Sequence, residues 1–366
     1  MSTVDSVLFK LLAIGLGQDV SFDLPLGEID WPALIQRAMA QGLDAVAFDG
    51  VQALYERRPE QAEALDASLG EAKFEWLGLT LQAEQDYVAY RGKLRDLAAF
   101  YQAAGMRMLV LKGYGLSLDY PVPAHRPTGD IDIYLFGRGK EADDLVKAEL
   151  GLDIQQNNDR HSVFSFKGLS IENHAHFLDE VGHPSLKGIE FFLEQEVLKA
   201  ETVSVEGVSV FVPTVMMNAV FLPCHMATHF VFGGMMLKQL VDWAVFLSRH
   251  GTSVDWSVVK TFAEEAGRFE LFRAFNGIVA EHFGVPEACL PDWGRDRALE
   301  ERIWQDTLRP RKDKSSRNLW DKFTDYLAAR WKYRLAYRES FFLNFFRRGW
   351  ASFRGRHLPH SRSVWE

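Results

Sequence analysis

The stretch Gly129-Asp130-Ile131-Asp132-Ile133-Tyr134-Leu135 decides the fold, because its side chains alternate between polar and apolar. Such alternation predicts a half-buried β-strand, in which side chains two residues apart point to the same side. Asp130 and Asp132 therefore share one face, while the isoleucines between and after them enter the core. Two carboxylates that converge in this way repel each other, and burying them is costly unless a cation neutralises them.

The residues before this strand predict another strand, a glycine turn and a helix. Residues 106–111 form a short apolar run that passes into Lys112-Gly113-Tyr114-Gly115, as a buried strand does when it enters a turn. A helix is predicted to begin near Leu116. The lysine and the backbone of the two glycines form a candidate anion cradle, and Arg126 offers a further donor.

A third carboxylate follows the aspartate strand. Residues 162–167 and 170–177 predict two strands joined by Gly168-Leu169, and the second strand carries Glu172, His174 and His176 on one face. Glu172 is placed to complete a two-metal site or to act as a general base. Magnesium is the expected occupant, because it prefers oxygen ligands and bridges carboxylates to phosphates.

Helical patterns precede this core. Asp30 is placed to cap a helix that runs toward Gly42, and Gly105 supplies the left-handed stop of a longer one. The apolar residues of the longer helix recur at intervals of three, four and seven: Phe74, Leu77, Leu81, Tyr87, Leu94, Leu97 and Tyr101. Helical periodicity of this kind predicts that residues 1–104 are a helical region.

Helical patterns also dominate from about residue 214. Residues 215–237 contain no charged side chain and have the length of a membrane span, but Pro223 and several polar residues favour a buried helix. His225 and His229 share one face of that helix. No glutamate lies between them, so zinc-protease chemistry is excluded and buried structural histidines are the favoured interpretation.

Charge divides the chain into an acidic body and a basic tail. The formal net charge is -9, and residues 301–366 hold 16 Lys or Arg against 7 Asp or Glu, which leaves -18 for the rest. A basic tail attracts nucleic acid, an anionic membrane surface or the protein's own acidic body, and the last of these is favoured here. Aromatic residues are frequent from 319 to 353, where core or subunit interface is favoured over base stacking.

Only two cysteines are present, Cys224 and Cys289, which excludes a disulfide framework and a cysteine-rich zinc site. A reducing, cytoplasmic location is expected. The short apolar stretch near the N-terminus lacks a basic start, so no export signal is predicted.

The motifs together resemble a known family. Leu111-Lys112-Gly113 through Tyr120-Pro121, then Arg126-Pro127, Gly129-Asp130-Ile131-Asp132 and Glu172-x-His174, are similar to the uncharacterised nucleotidyltransferase family of bacteria, within the superfamily of DNA polymerase beta. The resemblance implies an α+β fold with a small mixed sheet flanked by helices. It also implies transfer of a nucleoside monophosphate from a nucleoside triphosphate, with release of pyrophosphate. The implied cofactor is Mg²⁺ or Mn²⁺.

The resemblance assigns roles to individual residues. Asp130, Asp132 and Glu172 are the expected catalytic and metal-binding carboxylates, with His174 lining the site. The candidate nucleotide-binding residues are Lys112, Gly113, Gly115, Ser117, Arg126 and Gly129. Lys112-Gly113 stands where the superfamily has Gly-Ser, and Ser117 is the candidate replacement for that serine.

The expected protein is a metal-dependent nucleotidyltransferase with a helical region at 1–104, a catalytic core at 105–213 and a second helical region with the basic tail at 214–366. Its acceptor is open between a small molecule, a protein and RNA, and its oligomeric state is open as well. One alternative is a non-catalytic module that binds a nucleotide or a partner and keeps the fold. Another is an RNA-directed nucleotidyltransferase, which the basic aromatic tail suggests.

Overall fold

The computed structural model describes residues 3–23, 25–156, 161–179, 182–232, 234–309, 324 and 327–342. Five helices precede the sheet: α1 (Thr3–Gly15), α2 (Trp31–Gln41), α3 (Asp44–Arg57), α4 (Ala62–Leu69) and α5 (Ala72–Ala103). Asp30 accepts a hydrogen bond from the Ala33 N–H, and Gly42 ends α2 in the left-handed conformation, as the sequence predicted. Gly105 follows α5 with a positive φ of 67°.

The long helix α5 is confirmed, but its first apolar residues do not face the core. Phe74, Leu77 and Leu81 are exposed, whereas Trp76 and Thr80 are buried. Periodicity identifies a helix without deciding which of two faces the rest of the protein covers. From Tyr87 onward the predicted apolar residues do lie inside.

In the described part of the chain, seven strands form one mixed sheet in the order β3-β4-β5-β2-β1-β7-β6. They are β1 (Leu109–Val110), β2 (Ile131–Tyr134), β3 (Gln155–Gln156), β4 (His161–Phe166), β5 (Leu169–His174), β6 (Glu201–Val205) and β7 (Val208–Val212). β2 runs parallel to β5, and β1 runs parallel to β7. The other neighbouring strands are antiparallel. The fold is therefore α+β, as expected.

Within the sheet segment, the described residues form three helices: α6 (Tyr114–Ser117), α7 (Gly139–Leu150) and α8 (Lys187–Glu196). Strand β1 is shorter than the apolar run that predicted it, and α6 begins at Tyr114 rather than near Leu116. One face of the sheet packs on α5 and α7, because Ile131 and Ile133 share a core with residues of both helices. Asp132, between them, points to the opposite face.

The turn between β4 and β5 corrects a prediction. The two strands are joined by Lys167-Gly168, not by Gly168-Leu169, and both turn residues have positive φ. This is the geometry of a two-residue hairpin turn with the twist that antiparallel strands favour. The shift by one residue sets His161 opposite His174.

The remaining described helices follow the sheet: α9 (Val215–Phe232), α10 (Leu237–His250), α11 (Trp256–Glu265), α12 (Phe269–Phe283), α13 (Arg297–Leu308) and α14 (Arg330–Ala336). They form a large common core with α1 to α4. Helices α1 and α3 cross in close contact at glycines, since a Cβ on Gly50 would lie 2.1 Å from the Leu11 carbonyl oxygen. Cys224 and Cys289 are both free and buried.

Helix α9 is long and apolar enough to cross a membrane by length and composition alone, the one such helix in the described ranges. Within the protein, 56% of it is buried. It packs against α8, α10 and α14, and Pro223 lies inside it. These contacts agree with the prediction of a buried helix.

The described part of the tail places some of its aromatic residues in the core. Tyr333, Tyr337 and Phe341 are buried, and Phe342 is exposed. The predictions for Trp320, Phe323, Phe345, Phe346 and Trp350 lie outside the described residues.

Candidate functional site

The site is built on the two central parallel strands. The register of β2 and β5 sets Asp132 directly beside Glu172. Asp132 is only 4% exposed, and Glu172 is half-buried. Asp130 lies just before β2 and is exposed at the rim of the site. The alternation along β2 turns Asp132 away from the isoleucine core, and Asp132 is the most deeply buried of the three carboxylates.

A lysine and a histidine lie against the carboxylate of Asp132. The Lys112 Nζ lies 2.9 Å from its Oδ2, and the His174 Nε2 lies 3.0 Å from its Oδ1. Burial by itself raises the pKa of Asp132, but Lys112 and the hydrogen bond from His174 outweigh burial and hold that pKa well below its usual range. The carboxylate is therefore ionised at neutral pH.

The histidines beside the carboxylates form a short stack. His174 Nε2 also lies 3.6 Å from Glu172 Oε2, and the rings of His161 and His174 stack with centroids 5.2 Å apart. Burial lowers the pKa of His174, yet its bonds to Asp132 and Glu172 more than offset burial and raise that pKa. The hydrogen bond with His174 is also the main cause that lowers the pKa of Glu172.

Three of these residues form a candidate metal-binding group. Asp132, Glu172 and His174 each offer one ligand atom, and the three atoms lie within 4.8 Å of one another. Asp130 stands outside this group. Although Asp130 is exposed, the protein around its carboxyl group partly desolvates it and raises its pKa, and the charge of Asp132 raises that pKa further.

Helix α9 reaches the site through His225, which corrects the interpretation of buried structural histidines. His225 and His229 are half-buried. The His225 Nε2 lies 3.3 Å from the Lys112 Nζ and 3.0 Å from the His229 Nε2. Lys112 thus links the sheet carboxylates to a pair of histidines on α9.

The glycine turn after β1 is shaped by close packing. Gly113 has a φ of 60°, and a Cβ there would lie 2.5 Å from the Tyr90 hydroxyl oxygen. A Cβ added at Gly115 would lie 3.1 Å from the Val212 Cγ1. Gly113 is therefore required for two reasons, its left-handed backbone and the hydroxyl beneath it.

Ser117 does not join the carboxylates. It is 1% exposed, and its hydroxyl donates to the Tyr114 carbonyl and shares a second hydrogen bond with the Tyr87 hydroxyl. Its oxygen is occupied inside the protein, so the structure gives no support to Ser117 as the replacement for the superfamily's serine. Gly129, by contrast, has open space around it.

Arg126 forms an ion pair with Asp242. Its Nε and Nη2 donate to the two carboxylate oxygens of Asp242 on α10, each at 2.9 Å, and Tyr120 donates to the same aspartate at 2.7 Å. The candidate nucleotide-binding guanidinium is thus part of a clamp between the loop before β2 and α10.

Lys238 is a site residue that the sequence did not reveal. It lies on the first turn of α10, half-buried, near Asp130, Lys112 and Arg126. Burial and the charge of Arg126 lower its pKa. No local pattern marks Lys238, because its approach to Asp130 depends on how α10 packs. His161 was missed for a different reason. The predicted turn at Gly168-Leu169 was wrong by one residue, and the observed turn at Lys167-Gly168 pairs His161 with His174.

Comparison with known proteins defines the class. The model of the family described as uncharacterised nucleotidyltransferase matches residues 27–284, a range that contains all the described strands and helices α2 to α12. The match covers more than half of the chain, so the chain belongs to this family and its general kind is a nucleotidyltransferase. Comparisons with curated proteins and with solved structures gave no match.

Proposed function

We propose that this chain transfers a nucleoside monophosphate from a nucleoside triphosphate to an acceptor, at the site formed by Asp130, Asp132 and Glu172. The observation that carries the proposal is the register that sets Asp132 beside Glu172 on the central strands. Family membership supports a nucleoside triphosphate as donor.

The donor set fits a divalent cation. Asp132, Glu172 and His174 offer three ligand atoms within 4.8 Å of one another. The ammonium group of Lys112 lies against the carboxylate of Asp132, so the space beside Asp132 already accommodates a positive charge. Carboxylate oxygens suit Mg²⁺, and the adjacent imidazole also suits Mn²⁺. When bound, such an ion offsets the charge of the triphosphate and lowers the pKa of the attacking group.

Two lysines are the candidates for holding the triphosphate. Lys112 lies beside Asp132, and Lys238 lies near Asp130. Lys238 forms no ion pair with any described residue, so its charge is available to an anion. Lysine is a common phosphate ligand because its ammonium group is a compact point charge.

The proposed reaction is a group transfer at the α-phosphorus of the nucleoside triphosphate. The acceptor's nucleophile attacks the α-phosphorus, the bond from that phosphorus to the oxygen bridging to the β-phosphate breaks, and pyrophosphate leaves. Glu172 is the residue proposed to accept the acceptor's proton, since it is an ionised carboxylate at the edge of the site. Positioning and charge stabilisation account for most of the catalysis in phosphoryl transfer.

Calorimetric titration tests the donor site. Each of the four ribonucleoside triphosphates is titrated, with and without Mg²⁺, into the wild type, an Asp130→Asn, Asp132→Asn double variant and an Asp144→Asn control. Asp144 is an exposed aspartate of α7. We expect binding that requires Mg²⁺ and is lost in the double variant alone. Binding by the double variant equal to that of the wild type would refute the site assignment, and no binding by the wild type would favour a non-catalytic module.

A labelling experiment then addresses the acceptor. The nucleotide that binds is supplied with a label on its α-phosphate, together with a cell extract, and the small-molecule, protein and RNA fractions are separated. We expect Mg²⁺-dependent label in one fraction with the wild type and none with the double variant. Label in the RNA fraction would identify the RNA-directed alternative.

A further inference from the structure

A second group of metal-binding side chains lies beyond the end of β5. Glu190 and Glu194 are one turn apart on α8 and so lie on the same side of that helix. His176 follows β5 by two residues. One ligand atom from each of these three residues lies within 4.8 Å of the other two.

Glu190 is a buried carboxylate that binds the backbone after β5. It is 3% exposed, and its two oxygens accept hydrogen bonds from the N–H groups of Phe177 and Leu178, at 2.9 and 2.8 Å. Each carboxylate oxygen has two lone pairs, so both keep one for a further ligand. Burial raises the pKa of Glu190 to about 7, and the two backbone N–H groups only partly offset this effect.

His176 leaves a ring nitrogen without a hydrogen bond. Its Nδ1 is buried and has no hydrogen-bond partner, and it lies 3.5 Å from Glu190 Oε1. That distance is too long for a good hydrogen bond. Among the described residues no lysine or arginine forms an ion pair with Glu190 or Glu194. The group therefore combines a buried nitrogen that lacks a partner with two carboxylates that lack a strong cation.

We propose that His176, Glu190 and Glu194 bind a divalent transition-metal ion, with Zn²⁺ as the best match. One imidazole and two carboxylates are typical ligands of zinc, whereas an all-oxygen set would favour magnesium or calcium. The ring of His176 is 41% exposed and Glu194 is exposed, so water reaches the ion and completes its coordination.

The proposed ion has a structural consequence. Glu190 already joins α8 to the backbone that follows β5, and the ion would add His176 to the same junction. Strand β5 carries Glu172 and His174, so the ion would hold the end of the strand that presents them. This inference does not depend on the proposed transfer reaction.

The test is zinc binding by the full-length protein after removal of metal with a chelator. Calorimetric titration of Zn²⁺ is carried out on the wild type, a His176→Gln, Glu194→Gln double variant and a Glu149→Gln control, where Glu149 is an exposed glutamate of α7. A fourth protein, the Asp132→Asn, Glu172→Gln variant, removes the carboxylates of the first group. Circular dichroism confirms that each protein is folded.

We expect the double variant at His176 and Glu194 to bind one equivalent of Zn²⁺ fewer than the wild type, and the Glu149→Gln control to bind as the wild type does. The Asp132→Asn, Glu172→Gln variant should retain one equivalent. Retention of the full wild-type stoichiometry by the double variant would overturn the proposal, as would complete loss of zinc from the Asp132→Asn, Glu172→Gln variant. Absorption by Co²⁺ substituted for Zn²⁺ gives an independent readout: the double variant at His176 and Glu194 should lose the part of the absorption that the Asp132→Asn, Glu172→Gln variant retains.

Discussion

At the scale of single residues, Asp132 shows how a buried charge is tolerated without a metal. Its carboxylate is 4% exposed, and the Lys112 Nζ and His174 Nε2 both lie within 3.0 Å of its oxygens. A buried carboxylate of this kind is stable only when it is paired and hydrogen-bonded. A divalent cation at Asp132 would therefore compete with Lys112 for the same charge.

Lys112→Met tests this competition. Removing one partner of a buried ion pair leaves the other charge uncompensated, which costs roughly 3–5 kcal/mol. We expect the free energy of unfolding in metal-free buffer to fall by that order. Added Mg²⁺ should raise the melting temperature more in the variant than in the wild type, because Lys112 no longer competes for Asp132. Urea denaturation and thermal melts with and without Mg²⁺ measure both effects.

Lys73→Met is the matched control, since Lys73 forms an exposed ion pair with Asp66 on the surface. Exposed pairs contribute little to stability, so this variant should behave as the wild type does. If Lys112→Met kept wild-type stability without metal, Lys112 would not be the group that neutralises Asp132.

At the scale of elements, the loop between α6 and β2 is fixed at two points. Arg126 pairs with Asp242 of α10. His125 lies between two carboxylates, with its Nδ1 2.8 Å from Asp49 of α3 and its Nε2 3.1 Å from Glu84 of α5. The loop that delivers Asp130 to the site is thus attached to α3 and α5, which precede the sheet, and to α10, which follows it.

Asp242→Asn tests the first attachment. The substitution leaves the guanidinium of Arg126 buried without its carboxylate, and we expect the free energy of unfolding to fall by roughly 3–5 kcal/mol. Because the loop then loses its fixed position, the affinity for Mg²⁺-nucleotide should fall as well. Chemical denaturation and nucleotide titration measure the two effects. Unchanged stability with tighter nucleotide binding would instead assign Arg126 to the triphosphate.

His125→Gln tests the second attachment through pH. Burial lowers the pKa of His125, but Asp49 and Glu84 more than offset burial, so its folded pKa lies above its ordinary value. A histidine with a raised folded pKa adds stability that is fully present below about pH 6.5 and is lost as pH rises through the folded value. The stability difference between wild type and variant should therefore shrink from pH 6 to pH 8. Denaturation at a series of pH values checks this, and a constant difference would contradict it.

Elements set by local chemistry could be predicted from the sequence, and those set by distant packing could not. The cap at Asp30 and the alternation around Asp132 depend on near neighbours and were predicted correctly. The hairpin of β6 and β7 was missed, although valines alternate on both sides of Glu206-Gly207. The approach of His225 and Lys238 to the carboxylates is set by how α9 and α10 pack, which no local pattern records.

At the scale of the whole molecule, helices from both ends of the chain share one core on the side of the sheet that Asp132 faces. Helix α14 closes part of this core. Tyr337, directly after α14, stacks on His183 with ring centroids 3.6 Å apart and lies over the buried guanidinium of Arg268. The Arg268 Nε donates to the Ala336 carbonyl at 2.9 Å, which fixes the end of the helix.

Tyr337→Ala tests whether this closure stabilises the whole protein without shaping the site. Removing a buried aromatic side chain costs roughly 3–5 kcal/mol, from lost burial and from the cavity left behind. We expect the free energy of unfolding to fall by that order, while the dissociation constant for Mg²⁺-nucleotide at low temperature stays that of the wild type. Phe342→Ala is the control, because Phe342 is 46% exposed and its loss should change stability by less than about 0.5 kcal/mol. Nucleotide affinity that fell together with stability in Tyr337→Ala would show instead that α14 and the site are coupled.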